Sequence, residues 1–290
     1  MQHREFGWVS RDGLHLYAQA WAPDGEPQAV VCLVHGIGEH SGRYAYVAGR
    51  LTAAGYAVLA YDQRGHGRSP GPRGHTPSFD HLLDDIGLLL DQAERLYPDL
   101  PCFLYGHSLG GGLVLNFAIR RQPQIAGVIS TSPSLRQTKP SPALQLALGR
   151  ILYRLAPSFT MASGLELAAI SRDPEVVRVY QADPLVHNRV SAQLGIDLID
   201  TGQWALDHAA EFPVSLLLIH GAADRITSPE ASREFAARAP GDVSLHILEG
   251  AYHETHNEPE KDHMTQIVID WLVERSAGLP VKNRSAAGQA

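Results

Sequence analysis

The chain is short of almost everything that would mark a membrane, nucleic-acid-binding or disulfide-stapled protein. It has no run of about 18 apolar residues, the length a bilayer-spanning helix needs, so no transmembrane segment is expected. The opening Met1-Gln2-His3-Arg4-Glu5-Phe6 has no apolar core of the kind a secretory signal carries, and a cytoplasmic protein is expected. Basic residues are in deficit, 24 Lys and Arg against 31 Asp and Glu, for a net charge of -7. That balance argues against a nucleic-acid partner, because a phosphate backbone rewards clustered Lys and Arg. An uncharged small-molecule substrate fits better. Only two cysteines occur, Cys32 and Cys102, both within apolar strand-like runs where a thiol behaves as a small hydrophobe, so no disulfide is expected. The fifteen histidines are scattered, and no His-Glu-x-x-His or Cys-x-x-Cys spacing gathers them into a ligand set. No metal site is expected. No Ser/Gly/Pro-rich linker splits the 290 residues into separately folding halves.

What is present begins with Gly106-His107-Ser108-Leu109-Gly110, a serine between glycines, after the apolar run Cys102 to Tyr105 and before a helix-like stretch from Leu113 to Arg120. A strand that turns sharply into a helix forces its apex residue into a strained backbone. Small neighbours are then required, and the serine oxygen is left exposed. The pattern alone is also that of a glycine-rich turn; the strand before it and the helix after it make it a nucleophile elbow.

Around this turn, short apolar runs alternate with longer amphipathic ones: Ala29 to Val34, Tyr44 to Ala54, Ala57 to Tyr61, Phe79 to Tyr97, Cys102 to Tyr105, Leu113 to Arg120 and Gly127 to Ser130. That rhythm predicts a mostly parallel sheet with helices on both faces. Glu5 to Val9 and Leu14 to Ala20, around Arg11-Asp12-Gly13, read as an antiparallel edge hairpin. After Thr131-Ser132-Pro133 the rhythm breaks. Residues 134–206 read as helical without a strand, with Ser141-Pro142 as the N-cap and first residue of one helix and Asp173-Pro174-Glu175 opening another. The sheet pattern resumes with Val214 to Ile219, a helix from Pro229 to Arg238, Val243 to Leu248, and a last helix from about Glu258 to Val273. The expected organisation is therefore a core of residues 1–133 and 207–290 with a helical cap, 134–206, inserted in it. Leu144, Leu148, Ile151 and Leu155 share one stripe of the first cap helix, which either packs on its neighbours or touches a lipid surface or acyl chain. The tail Ala277 to Ala290 is polar and small, and is expected to fray.

A serine hydroxyl needs a base within hydrogen-bond reach and an acid to orient that base, and in doubly wound sheets such groups gather at the carboxyl ends of strands. Two later strands end there in His220-Gly221-Ala222-Ala223-Asp224 and Glu249-Gly250-Ala251-Tyr252-His253. Asp224 is the preferred acid, with Glu249 as its rival. Asp197, Asp200 and Asp207 fall in the helical stretch, and Asp62 follows an earlier strand. His253 is the preferred base; His35, His107 and His220 also follow strands and read equally as buried structural histidines. The order serine, acid, histidine is the one this topology imposes. An oxyanion needs two backbone donors near the serine, and the amides of Ile37, in His35-Gly36-Ile37-Gly38, and of Leu109 are the expected pair. The charged, glycine-rich loop Asp62 to Ser69 has neither a Walker lysine nor dinucleotide spacing and reads as structural.

These residues together resemble the monoacylglycerol lipases of the α/β-hydrolase superfamily. The resemblance rests on His35-Gly36-Ile37-Gly38-Glu39-His40-Ser41-Gly42-Arg43-Tyr44, the Asp62 to Ser69 loop, Gly106 to Gly111, Asp183-Pro184-Leu185-Val186, Ala223-Asp224 and Tyr252-His253, and runs to about Ser276. It implies an α/β-hydrolase fold with a lid. It also implies cofactor-free hydrolysis of a fatty-acid glycerol monoester by Ser108, His253 and Asp224 through an acyl-enzyme. The positions matching the family's glycerol-binding cluster are Glu39, Arg43 and His256; an exposed loop ion pair is the alternative for Glu39 and Arg43. His256 would join His253 on one face if the last helix begins early. Two rivals stand beside this reading. One is a carboxylesterase or lysophospholipase acting on a different alcohol; the other is a non-catalytic binding protein that keeps the hydrolase fold.

Overall fold

The computed structural model describes residues 1–277, so the tail expectation falls outside the described residues from Gly278 onward. The chain opens with the antiparallel pair β1 (Gln2–Val9) and β2 (His15–Ala22), in which Val9 pairs with His15. Gly13 turns the hairpin at a φ of +87°, a left-handed conformation that an L side chain rarely adopts. There follow β3 (Ala29–Val34), α1 (Ala45–Ala53), β4 (Tyr56–Tyr61), α2 (Phe79–Leu96), β5 (Cys102–His107), α3 (Leu109–Arg121) and β6 (Gly127–Thr131). After the insertion come β9 (Leu216–Gly221), α7 (Pro229–Arg238), β10 (Val243–Leu248) and α8 (Lys261–Ser276).

Eight strands form one sheet in the order β1-β2-β4-β3-β5-β6-β9-β10, parallel from β4 to β10. The period of two in a strand decides where each side chain goes. From β3, Val30, Cys32 and Val34 enter the apolar layer beneath α2 and α3, while Val31 and Leu33 enter the layer beneath α1 and α8. Every residue of β3, β4, β6 and β9 is buried, which is why these strands read as continuous apolar runs. Each fully buried Val or Leu contributes about 1.5–3 kcal/mol. The strand order also reverses at β3: β4 lies on one side of it and β5 on the other. The chain leaving β3 and the chain leaving β5 therefore turn to opposite faces and open a crevice between them.

Between β6 and β9 the structure corrects the all-helical expectation. α4 (Ala143–Leu155), α5 (Pro174–Ala182) and α6 (Ala192–Asp207) are present, but so is a two-stranded antiparallel ribbon of β7 (Thr160–Ala162) and β8 (Arg189–Ser191). Three-residue strands are too short to show a period of two, so the sequence gives no pattern for them. The α4 cap also differs: Pro142 takes the N-cap position, no side chain caps the helix, and Ser141 Oγ donates to Gln137 Oε1. Asp173 does cap α5, accepting from the Glu175 N–H at 2.9 Å with Pro174 as the first helical residue. The two ends of the insertion are packed differently. Leu194, Ala205 and Leu206 of α6 belong to the same apolar layer as α3, whereas α4 has no buried residue and exposes Leu144, Leu148, Ile151 and Leu155.

Candidate active site

Ser108 is the first residue after β5 and the last before α3, at φ +54° and ψ -115°. Its flanking glycines follow from how closely other backbone approaches. A Cβ on Gly106 would lie 2.2 Å from the Gly110 carbonyl oxygen, and one on Gly110 would lie 2.0 Å from that of Val34. No larger residue fits either place. The helix expected from Leu113 in fact begins at Leu109, directly after the serine.

His253 and Asp224 meet Ser108 from the ends of neighbouring strands. His253 Nε2 is 2.9 Å from Ser108 Oγ, and its Nδ1 is 2.7 Å from Asp224 Oδ2. Asp224 sits in the loop after β9, with its Oδ1 accepting the N–H groups of Ile226 at 2.7 Å and Thr227 at 3.1 Å. Burial would push the Asp224 carboxyl up, but the His253 charge and hydrogen bonds from His220 and His253 hold it well below the usual carboxylate range. Burial would likewise depress His253; the Asp224 carboxylate reverses this and holds the imidazole above its ordinary value. The result is a hydroxyl hydrogen-bonded to an imidazole whose far side is fixed on an anion, a geometry that can move the serine proton as the oxygen attacks. Glu249, the rival acid, is exposed.

The loop after β3 closes on the serine. A Cβ on Gly36 would be 3.3 Å from that of Ser108, so the backbone just before Ile37 packs against the serine. Leu109 is the first residue of α3, where a backbone N–H has no acceptor within the helix. Both amides therefore belong to the neighbourhood of Ser108. Ile37 and Gly38 also line a cleft of about 490 Å³, together with Leu165, Leu167, Val186, Arg73 and Arg189.

Glu39, Arg43 and His256 lie behind the site instead of lining the cleft. Glu39 is 2 % exposed and accepts from the Gly36 N–H at 2.6 Å, the Tyr44 hydroxyl at 2.7 Å and Arg43 at 2.5 Å. Arg43 also holds Glu254 and lies under the Tyr180 ring, 4.6 Å from its centroid. The exposed ion pair considered as an alternative is thus a buried one, because the loop folds inward to meet Glu254. His256 is not on a helical face with His253. It sits in a 3-10 turn, Thr255–Asn257, fully buried and stacked on Tyr44 at 4.8 Å, since α8 begins only at Lys261. Two of the histidines at other strand ends are structural: His35 Nε2 accepts from the Gln63 N–H at 2.9 Å, and His107 Nδ1 meets Thr131 Oγ1 at 3.0 Å. Asp62 likewise organises its own loop, taking the Ser41 N–H at 2.8 Å and the Arg68 N–H at 2.8 Å.

Three contributors were not legible in the sequence. Ser132, at φ +43°, donates from Oγ to the His253 carbonyl at 2.7 Å. Thr227 donates to Asp224 Oδ2 at 2.9 Å, and Glu254 completes the Arg43 pair. Only their nearness to strand ends or to His253 could have marked them.

Comparison with known proteins agrees with this architecture. The profile of the family described as serine aminopeptidase, S33 matches residues 25–260. An abhydrolase domain-containing protein of Dictyostelium discoideum is 40 % identical over 92 % of this chain, which spans 28 % of that protein's length. A monoacylglycerol lipase of Mycolicibacterium smegmatis is 37 % identical, with 93 % of this chain and 96 % of that protein covered. The crystal structure of the Paleococcus ferrophilus monoacylglycerol lipase superposes with a TM-score of 0.83 at 37 % identity, covering 90 % of this chain and 99 % of that one. The chain therefore belongs to the serine aminopeptidase S33 family of α/β-hydrolases, in its monoacylglycerol lipase group.

Proposed function

We propose that this protein hydrolyses fatty-acyl esters, and monoacylglycerol in particular, through an acyl-enzyme on Ser108. The observation that carries the reading is the line Ser108 Oγ, His253, Asp224, with contacts of 2.9 and 2.7 Å. In the first step Ser108 Oγ attacks the ester carbonyl carbon while His253 Nε2 takes its proton. The carbonyl electron pair moves onto oxygen, where the N–H groups of Ile37 and Leu109 receive it. The pair then returns, the bond to the glycerol oxygen breaks, and His253 gives that oxygen its proton. Water next attacks the acyl carbon as His253 takes a proton from it. Collapse releases the fatty acid, and the proton returns to Ser108.

In this reading residues 134–206 act as the cap, and the acyl chain runs along Leu165, Leu167 and Val186. Glu39, Arg43 and His256 act from behind, fixing the loop that carries Ile37 instead of touching glycerol. The exposed α4 stripe supports transient contact of the cap with a lipid surface. Among the described residues no helix is long and apolar enough to cross a membrane. Two experiments test the proposal. Ser108→Ala should lose turnover by several orders of magnitude while keeping its fold; near-parent activity would refute the mechanism. Mono-, di- and triacylglycerol of one acyl chain should be cleaved at falling rates, and equal rates would sink the monoacylglycerol assignment.

A further inference from the structure

His220 is the penultimate residue of β9, fully buried, four residues before Asp224. Its Nε2 is 3.1 Å from Asp224 Oδ2, the same oxygen that takes the His253 Nδ1–H at 2.7 Å and the Thr227 hydroxyl at 2.9 Å. The Thr227 carbonyl oxygen is also 3.1 Å from Nε2, so that nitrogen faces a carboxylate and a carbonyl and carries the hydrogen. Nδ1 is then an acceptor, and Ser232 Oγ, buried in α7 at 2.7 Å, donates to it. The hydrogen-bonded line runs Ser232, His220, Asp224, His253, Ser108.

The orientation of Asp224 does not depend on His220. The N–H groups of Ile226 and Thr227 and the Thr227 hydroxyl already hold it. What His220 adds is a donor on the oxygen that faces His253. We propose that His220 is a positioning residue for the reaction: as a donor to Asp224 Oδ2 it draws charge from that oxygen and so lowers the pH at which His253 gives up its proton. The inference rests on the proposed roles of Ser108, His253 and Asp224. A carboxylate relieved of part of its charge holds an imidazolium less tightly, so more of the base is free near neutral pH. The other groups facing His253 are Glu254, Glu39, His256 and His107, the last with its ring centre 4.9 Å from that of His253. They are the same in every variant below, so differences among variants isolate His220.

The test is the rate at which a fluorophosphonate probe labels Ser108 as a function of pH, in the full chain, with Ser108→Ala as the blank. In His220→Leu the acid limb should move up by about half a pH unit and the plateau should fall about tenfold. With ester substrate the loss should appear in kcat, with KM within about twofold. In His220→Gln an amide N–H can again reach Oδ2, and the limb should return most of the way. Ser232→Ala, which loses the donor to Nδ1 and thereby weakens the Nε2–H, should shift the limb in the same sense by less. It also serves if His220→Leu does not fold. An acid limb unmoved in His220→Leu, or in Ser232→Ala where only that variant folds, would overturn the inference even if thermal stability fell. Labelling of the Ser108→Ala blank would instead overturn the proposed function.

Discussion

Arg43 and Glu254, 211 residues apart in sequence, form a bidentate pair with both N···O distances at 2.7 Å, and Arg43 simultaneously holds Glu39. One guanidinium thus neutralises two carboxylates that are both almost fully buried. Burial would lower the Arg43 pKa, but Glu254 and Glu39 raise it well above the usual arginine value. Arg43→Ala leaves two buried charges unpaired and should cost about 3–5 kcal/mol of unfolding free energy. Arg43→Lys should recover only part, because an ammonium cannot reproduce the planar fork. Urea denaturation of the three proteins reads this directly, and a loss under about 1 kcal/mol for Arg43→Ala would show the pair to be dispensable.

Hydrolysis should fall on the acid side with a midpoint above the ordinary histidine value of 6.5, because Asp224 raises the His253 pKa. Below that midpoint the imidazolium cannot take the serine proton, so kcat/KM should drop about tenfold per pH unit. Asp224→Asn removes the carboxylate and should lower kcat by roughly 10⁴-fold. A pH profile flat through this range would exclude His253 as the base.

Stability should also decline in acid, through a different histidine. Burial lowers His256 to about 4. As pH falls from 6.5 to 4 the unfolded chain binds a proton at this position that the folded chain refuses. The folded state therefore loses up to about 3 kcal/mol across that window from this group. His256→Phe keeps a ring against Tyr44 and should flatten the dependence of the urea midpoint on pH. Equal slopes in parent and variant would contradict the assignment.

Glycine-to-alanine changes should separate strained from permissive sites. Gly106→Ala places a methyl 2.2 Å from a carbonyl oxygen, so it should abolish activity by at least about a hundredfold or prevent folding. Gly49, within α1, has nothing within 4 Å of an added Cβ. Gly49→Ala should stabilise the protein by about 0.5–1 kcal/mol with unchanged turnover. Similar effects at the two positions would mean that the elbow tolerates a side chain.

The α4 stripe should govern lipid contact. Leu144 and Leu155 are 84 % and 80 % exposed, so Leu144→Glu combined with Leu155→Glu should not unfold the chain. The double variant should reduce sedimentation with phosphatidylcholine vesicles several-fold while sparing hydrolysis of a short, water-soluble ester. Unchanged sedimentation would remove lipid contact from the proposed function.

Elements governed by local chemistry were legible in the sequence. The strands β3, β5 and β9 announce themselves as apolar runs, and the elbow by glycines that only backbone crowding explains. The N-cap at Asp173 follows from a short side chain before proline. What was not legible depends on contacts across the chain. The direction in which Glu39 and Arg43 point is set by Glu254, and the placement of His256 by a 3-10 turn that delays α8. β7 and β8 exist only because each pairs with the other. Periodicity carries no information about partners more than a hundred residues away.

Residues 183–191 of the insertion are stitched to two loops of the sheet, those after β3 and β4. His40 meets Asp183 at 2.9 Å, the Gly38 carbonyl takes the His187 N–H at 2.8 Å, Gly65 meets the His187 ring at 3.0 Å, and the Gly74 carbonyl takes the Ser191 N–H at 2.8 Å. This stretch is thereby fixed as one wall of the cleft that Ile37 and Gly38 also line. The wall it contributes to the cleft is therefore held by the loops that follow β3 and β4, and moves only as far as those loops do.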